Sequence, residues 1–464
     1  MKKGTAKDTI AAISTPLGHG GIGIIRISGG ESLRIADIIF KPAGKGLKPS
    51  DCATHTVHYG HIHDRRGGVV DEVMLTVLKA PRTYTAEDVV EIGCHGGIVP
   101  LRKVLELCLD SGARMAEPGE FTKRAFLNGR MDLSQAEAVI DIINSESDAF
   151  CRAAVEQLGG SFSKEIKKIR GAVIDILAQI ELAVDFTEED VDFASGAKIS
   201  AAIKEILERV RSVLATADRG MAMRKGVKVV ICGKPNAGKS SLMNALLKHD
   251  RVIVAPHAGT TRDVVEEYLN VQGSTVRISD TAGIGKTSSE LDLEGMKRSR
   301  KKIGEADIAV LVLDAASGVT DEDNDIYEMI KDKKSVIVIN KTDRGALITR
   351  EQAEKIYGAA HFVETSVVTG RGLEELEKRI GAILQEKEVI VPEGPIVTNI
   401  RYKEALELAL AGIERAMKVT GEGFNPELLA SDLSETIYSL GYITGETIKD
   451  DILERIFSRF CIGK

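Results

Sequence analysis

Hydrophobic and polar positions change texture three times along this chain. Between Thr9 and about Ala116, short branched runs such as IAAI, IGIIRIS, THTVHYG, VVDEVMLTVL and VVEIGCHG alternate with Gly, Pro and Asp breaks. That pattern predicts the strands of a compact α+β domain, with helices near Glu31–Phe40 and Ile98–Ser111. From Ser134 the apolar residues fall three and four apart instead. Phe162, Ile166, Ile169, Val173, Ile176, Leu177 and Ile180 form one face of a helix over Phe162–Val184, and a shorter helix is predicted at Gln135–Asn144. Ile203, Ile206, Leu207, Val210 and Val213 predict another over Ile199–Leu214, and the acidic run Glu188, Glu189, Asp190 and Asp192 between them reads as a loop.

At Val227 the pattern switches to nearly continuous apolar runs, VKVVICG, TVRISDT, ADIAVLVLDA and KSVIVINK, separated by segments long enough for helices. Such runs indicate a mostly parallel sheet covered on both faces. After about Glu386 helices return, with Ala405, Leu406, Ala409, Leu410, Ile413 and Met417 on one and Ile448, Ile452, Ile456 and Phe460 on the last. The domains are therefore drawn at residues 1–120, 121–222, 223–384 and 385–464. Three successive domains are one reading. Neither helical stretch supplies a full bundle of its own, so the preferred reading packs the two together, with the α/β domain inserted between them.

Composition narrows the class. The chain has 464 residues, enough for several cores, and its six cysteines include no CxxC pair, which argues against a disulfide framework or structural zinc and for reduced cytoplasm. No stretch reaches about 18 uncharged apolar residues and Met1–Ser14 has no convincing cleavage site, so neither a membrane span nor secretion is expected. A net charge of −7 and the absence of Trp argue against a body that coats itself in nucleic acid or stacks many bases.

The chemistry is most legible after Val227. Gly233-Lys-Pro-Asn-Ala-Gly238-Lys239-Ser240 follows a strand and opens the helix SLMNALL, matching the phosphate-binding loop GxxxxGKS/T. In this reading the backbone from Asn236 and Ala237 through Ser241 wraps the phosphates, Lys239 reaches the β and γ groups, and Ser240 ligates magnesium. TVRISDTAGIG then places Asp280 at a strand end, where it can hold magnesium through water, and Gly283 where its N–H can face the γ-phosphate. Asn340-Lys341-Thr342-Asp343 gives Asp343 two oxygens for the N1–H and amino group of guanine, which selects GTP over ATP, while Asn340 holds the loop and Lys341 packs across the base. Thr365-Ser366 either brings a backbone N–H toward the guanine oxygen or simply ends a strand. Thr260 or Thr261, in a segment VIVAPHAGTTRD made easy to close by Gly259, either caps magnesium and the γ-phosphate when the loop closes or belongs to an ordinary Gly-Thr turn. No glutamine follows Gly283, so something else positions the attacking water. Asn236 can coordinate a monovalent cation between the phosphates or merely shape the loop, and Glu290, Asp292 and Glu294 are acids that can act on water or stay solvated.

These residues, with DTIAAISTPLGHGGIGIIRISG, YTAEDVVEIGCHGG, PGEFTKRAFLNGRMDLSQAEAVIDII and the end Cys461-Ile462-Gly463-Lys464, resemble the tRNA uridine-modification GTPase family MnmE (TrmE) over essentially the whole chain. The resemblance implies a multidomain fold: an N-terminal α+β domain that binds a tetrahydrofolate one-carbon carrier and holds a homodimer, a discontinuous helical domain, and an inserted Ras-like α/β P-loop GTPase domain. It implies a potassium-activated GTPase acting with an FAD-dependent MnmG/GidA-type partner. From 5,10-methylenetetrahydrofolate, for which 5-formyltetrahydrofolate is an analogue, the pair installs aminomethyl or carboxymethylaminomethyl groups at C5 of the wobble uridine, position 34, in tRNA. Potassium then falls on Asn236, magnesium on Ser240 and Thr261, the folate contacts on Arg26, Glu91 and Arg130, and the cysteine near the folate is Cys461. A carboxylate for the pterin and cations for the glutamate tail suit folate chemistry.

The chain departs from the family in places. The acid that orients water aligns with Asp292, one methylene shorter than glutamate and about 1.5 Å short in reach. Gly285-Lys286 replaces an Arg-Glu pair, and His19 stands for the arginine of PxGRGG. The main rival is a ribosome-assembly GTPase that binds rRNA, which explains the nucleotide motifs equally well but not the N-terminal blocks or the CIGK end. A membrane-associated scaffold is a third reading, disfavoured because a final lysine does not complete a prenylation box.

Overall fold

The computed structural model describes residues 8–44, 46–145, 147–185, 196–225, 227–249, 267–271, 274–280, 300–345, 347–358, 361–386, 394–421 and 425–464. The acidic run at 188–192 lies outside them. The chain divides into two compact units, one of Met1–Ile140, Gln157–Val210 and Ala405–Lys464, the other of Asp141–Glu156 and Arg211–Glu404.

The first unit carries strands β1 (Ile10–Ile13), β2 (Ile22–Ser28), β3 (Phe40–Pro42), β4 (Thr56–His63), β5 (Val69–Leu78), β6 (Val89–His95) and β7 (Arg114–Met115). They form one sheet in the order β3-β4-β5-β6-β2-β1-β7, antiparallel except between β1 and β7. Alternation does the sorting. Ile25 and Ile27 of β2, Leu75 and Val77 of β5, and Val90 and Ile92 of β6 share one buried core with Ile35 and Ile39 of helix Ser32–Ile39 and Leu101 and Val104 of helix Ile98–Asp110. Both helices stand within a residue or so of their predicted spans. Arg26 lies between the two core isoleucines of β2, on the opposite face, directly across from Glu91 of β6.

Helices from both ends of the chain complete this unit. Ser161–Asp185, whose Phe162, Ile166, Ile169, Val173 and Ile180 are all buried, packs along Pro426–Thr444. Arg170 of the first donates Nε to the Ile437 carbonyl at 3.3 Å and Nη1 pairs with Glu446 at 2.6 Å. A second core joins Ala125, Met131, Leu133 and Ala136 to Ile448, Leu453, Phe457 and Phe460. The helical domain is thus discontinuous, with segments some three hundred residues apart in sequence sharing one interior. The last helix covers Asp450–Phe457 and buries Leu453 and Phe457; Ile452 and Ile456 pack, partly buried, against the same core, and buried Ile448 and Phe460 flank the helix, so the predicted face does meet the core on a helix shorter than its stripe.

The second unit holds β8 (Val227–Cys232), β9 (Glu267–Val271), β10 (Ser274–Asp280), β11 (Ile308–Asp314), β12 (Lys334–Asn340) and β13 (His361–Glu364), in the order β13-β12-β11-β8-β10-β9. All pairs are parallel except β9 with β10. Successive residues feed separate cores. Val229, Ile231, Val310, Val312, Val336 and Val338 meet Leu242 and Leu246 of helix Lys239–His249 and Leu376 and Ile380 of helix Leu373–Glu386, whereas Val230, Cys232, Leu311, Leu313, Ile337 and Ile339 meet Ile303, Ile326, Ile330 and Tyr357. This is why the strands read as unbroken apolar runs. Among the described residues no helix is long and apolar enough to cross a membrane.

Candidate functional site

Parallel strands deliver their following loops to one edge of the sheet, where ligands of open α/β folds bind. β8 ends at Cys232, and the chain turns through Gly233–Gly238 into helix Lys239–His249, so that Ser240 and Ser241 lie in its first turn, the end of a helix that favours anions. Gly238 sits at φ +98°, and a Cβ there would come within 2.3 Å of Asn340 Nδ2. Asn236 is left-handed at φ 62°, a conformation asparagine tolerates better than most residues. Asn340, at the end of β12, grips the turn: its Nδ2 donates to the Ala237 carbonyl at 3.1 Å, and its Oδ1 accepts from Thr365 Oγ1 at 3.1 Å. Lys239 is buried, and its Nζ donates to the Lys234 carbonyl at 2.8 Å.

Asp343 lies in the short turn Thr342–Arg344 after β12. Ser366 Oγ donates to its Oδ1 at 2.7 Å, and that hydrogen bond holds the Asp343 carboxyl below the usual carboxylate range. The N–H groups of Thr365 and Ser366 donate to the carbonyls of Ile339, at 2.8 Å, and Arg371, at 3.1 Å. Both N–H groups are thus engaged inside the protein, while the two hydroxyls contact Asn340 and Asp343. Asp280 closes β10 level with Ile231 of β8, immediately before the phosphate loop. Thr260, Thr261, Gly283 and Asp292 fall outside the described residues, as do Gly259, Glu290 and Glu294. Among the described residues no group of three or more His, Cys, Asp or Glu is arranged to hold a metal ion.

One side chain here escapes the sequence reading, and a second, already singled out, gains partners that spacing could not show, because those partners are distant in sequence. Lys234, inside the phosphate loop, is buried with its Nζ 3.0 Å from Asp323 Oδ2 and 3.2 Å from the Gly318 carbonyl. Lys341, left-handed at φ 62°, reaches back so that its Nζ donates to the Asn236 carbonyl at 2.6 Å and to Asp314 Oδ2 at 2.7 Å.

The second cluster belongs to the first unit. Arg26 donates Nε to Glu91 Oε1 at 2.8 Å and Nη1 to the Gly463 carbonyl at 3.2 Å. Its guanidinium lies 5.4 Å from the centre of the Tyr84 ring, and that of Arg130 lies 5.0 Å from the same ring. Arg26, Glu91 and Arg130, from three separate stretches, are therefore brought together, and the member the sequence reading missed is Tyr84. Its only signal was a place in the quoted block YTAEDVVEIGCHGG. The phenol, held 2.9 Å from Thr122 Oγ1, is pushed up by burial against the opposing pull of that hydrogen bond and both guanidiniums. The chain end is tied down beside them. Ser14 Oγ also donates to the Gly463 carbonyl, at 3.1 Å, and a Cβ on Gly463, at φ +94°, would meet the Ile13 carbonyl at 2.4 Å. Burial, with the Arg26 charge, lowers the Lys464 amine below its ordinary value. Cys461 is exposed on the same tail, its carbonyl accepting from the Gly119 N–H at 3.4 Å.

A phosphate loop and an NKTD loop on one largely parallel sheet define the second unit as a Ras-like P-loop GTPase domain, set into a chain that also carries an α+β domain and a discontinuous helical domain. Residues 9–130 match the family described as GTP-binding protein TrmE N-terminus, and residues 133–461 match the MnmE helical domain. The chain is 45% identical over 459 residues to the tRNA modification GTPase MnmE of Acetivibrio thermocellus, covering 99% of each chain. It is 46% identical over 462 residues to that of Carboxydothermus hydrogenoformans, covering 99% of this chain and 100% of that relative. The chain belongs to the MnmE family of tRNA modification GTPases. Among solved structures it matches an Aquifex aeolicus Era variant bound to GDP and aluminium fluoride, 29% identical over 43% of this chain and 70% of that chain, with a TM-score of 0.29.

Proposed function

We propose that this protein is a potassium-activated GTP hydrolase of the cytoplasm that, with an FAD-dependent MnmG/GidA-type partner, uses a reduced folate to modify C5 of the wobble uridine in tRNA. The observation that carries the reading is the meeting of Arg26, Glu91, Arg130 and the CIGK tail around the Tyr84 ring, in a chain of the MnmE family. A folate offers a flat pterin with amino and N3 hydrogens and an anionic tail. Glu91 supplies the acceptor, Tyr84 a flat apolar face, and Arg130, exposed, the cation for the tail. The bound carrier supplies the one-carbon unit; the residues of this chain bind and orient it, and Cys461 stands on the tail beside it.

At the nucleotide site Asp343 reads the base, Lys239 and the loop N–H groups hold the phosphates, and Ser240 with Thr261 ligates magnesium, with Asp280 behind it. Asn236 ligates potassium; its backbone carbonyl is already engaged by Lys341 and its side chain is exposed, which suits an amide that must turn toward an ion. Asp292 orients water. The α+β domain, drawn at residues 1–120, holds a homodimer, and the GTPase domain, drawn at 223–384, is inserted between helical parts at 121–222 and 385–464.

Reconstitution tests the reading. The chain, the FAD-dependent partner, unmodified tRNA, GTP, a potassium salt and 5,10-methylenetetrahydrofolate should add a one-carbon-derived group at the wobble uridine, read by mass spectrometry of the nucleosides. Omitting either folate or GTP should abolish it. Modification that proceeds equally without folate would refute the one-carbon role.

A further inference from the structure

The loop that follows β11 ties together two lysines of the nucleotide site that come from different segments. At its start, Asp314 Oδ2 accepts from Lys341 Nζ at 2.7 Å. At its end, Asp323, fully buried at the first turn of helix Asp321–Ile330, accepts from Lys234 Nζ at 3.0 Å, with Gly318 and Thr320 as further acceptors for the same ammonium. The loop is thus strapped to the phosphate loop at one end while it holds the base-side lysine at the other.

We propose that Asp314 is a positioning residue for guanine-nucleotide binding, acting solely through Lys341. Its geometry is that of a relay. The Ala316 N–H donates to Asp314 Oδ1 at 3.0 Å, which fixes the carboxylate, and Oδ2 then fixes the Lys341 ammonium. The same ammonium donates to the Asn236 carbonyl, so the lysine stem is stretched between the base loop and the phosphate loop. It runs past Gly238, where a Cβ would lie 3.8 Å from Lys341 Cε. A lysine stem is rich in rotamers, and ordering it before ligand arrives removes that entropy cost from nucleotide binding. Burial pushes the Asp314 carboxyl up, but the hydrogen bonds from Lys341 and the Ala316 N–H outweigh it, so the acid stays ionised below its usual range. Asp314 is not placed to read the base; Asp343 does that from the following loop.

A double-mutant cycle on the full chain decides it, using GDP as the probe, with its affinity and release rate followed by fluorescence of a labelled analogue. Asp314→Ala should weaken GDP about tenfold, mostly through faster release, and Asp314→Asn, which keeps an acceptor for Lys341 and the shape of the site, should lose about threefold. In a Lys341→Ala background both substitutions should change affinity by less than twofold, because the lysine they act through is gone. Thermal unfolding of the nucleotide-free Asn variant should match the parent within a degree or two, and the cycle with Asn stands even if the Ala variant folds poorly. Unchanged or tighter GDP binding in Asp314→Asn and Asp314→Ala would overturn the proposal, and so would an undiminished loss in the Lys341→Ala background.

Discussion

Asp343 and Ser366 show how one hydroxyl can set the properties of the carboxylate proposed to read the base. The hydroxyl holds the carboxylate both in place and in its ionised form. A carboxyl whose pKa is depressed in the folded chain keeps that advantage above the ordinary carboxylate range and loses it as pH falls through its folded value. Ser366→Ala should therefore bind GDP severalfold more weakly at neutral pH. Compared with the parent, its loss of binding on acidification should begin at higher pH; superimposable pH profiles would remove the serine from this role. Asp343→Asn should move preference from guanosine toward xanthosine nucleotides, tested by competition. At Asn236, potassium should raise GTP turnover well above sodium at equal ionic strength, and Asn236→Ala should erase the difference while GDP still binds; equal rates in both salts with the parent chain would sink the cation proposal. The motif residues themselves were legible because each motif is local. Asp314, Lys234 and Tyr84 were not, because an aspartate, a lysine or a tyrosine gains its role only from partners 27 to 89 residues away or, for Tyr84, from two guanidiniums on other segments; Ser366 was singled out, but not the contact of its hydroxyl with Asp343.

Elements were read best where periodicity spans several turns. The stripe from Phe162 to Ile180 is buried along its length, and the second unit's strands divide residue by residue between two cores, as continuous apolar runs require. The short helix Asp450–Phe457 presents the predicted face, Ile452 and Ile456 packing beside buried Leu453 and Phe457. Phe457, 2% exposed, is the consequence worth testing. It lies in a core shared with Ala125 and Leu133, so Phe457→Ala should cost roughly 3–5 kcal/mol. Calorimetric unfolding with saturating GDP should show this as an early transition of the first unit, with the nucleotide-stabilised unit melting near its usual temperature. A single unshifted transition would mean that this core does not join the two ends of the chain.

At the scale of the whole chain, the inserted arrangement was the preferred sequence reading because neither helical stretch could bury its apolar face alone, and the shared core of Leu133 and Phe457 supplies the physical reason. What no spacing could reveal is that positions 26, 84, 91, 130 and 463 meet, since convergence depends on sheet register and on a tail folded back onto it. That meeting carries the central claim: one chain joins a guanine-nucleotide site to a one-carbon site. Titration of the intact chain with 5-formyltetrahydrofolate in a calorimeter tests it most directly, needing neither tRNA nor partner. A reduced folate should bind, and Glu91→Ala should lose roughly 2–4 kcal/mol, about 30- to 1000-fold, because it removes the pterin acceptor and unpairs Arg26 together. Arg130→Ala should lose about 1 kcal/mol or less at its exposed position, Cys461→Ser should bind normally, and GDP affinity should be unchanged in all three variants. Failure of any reduced folate to bind the parent chain at millimolar concentration, with GDP binding intact, would contradict the account.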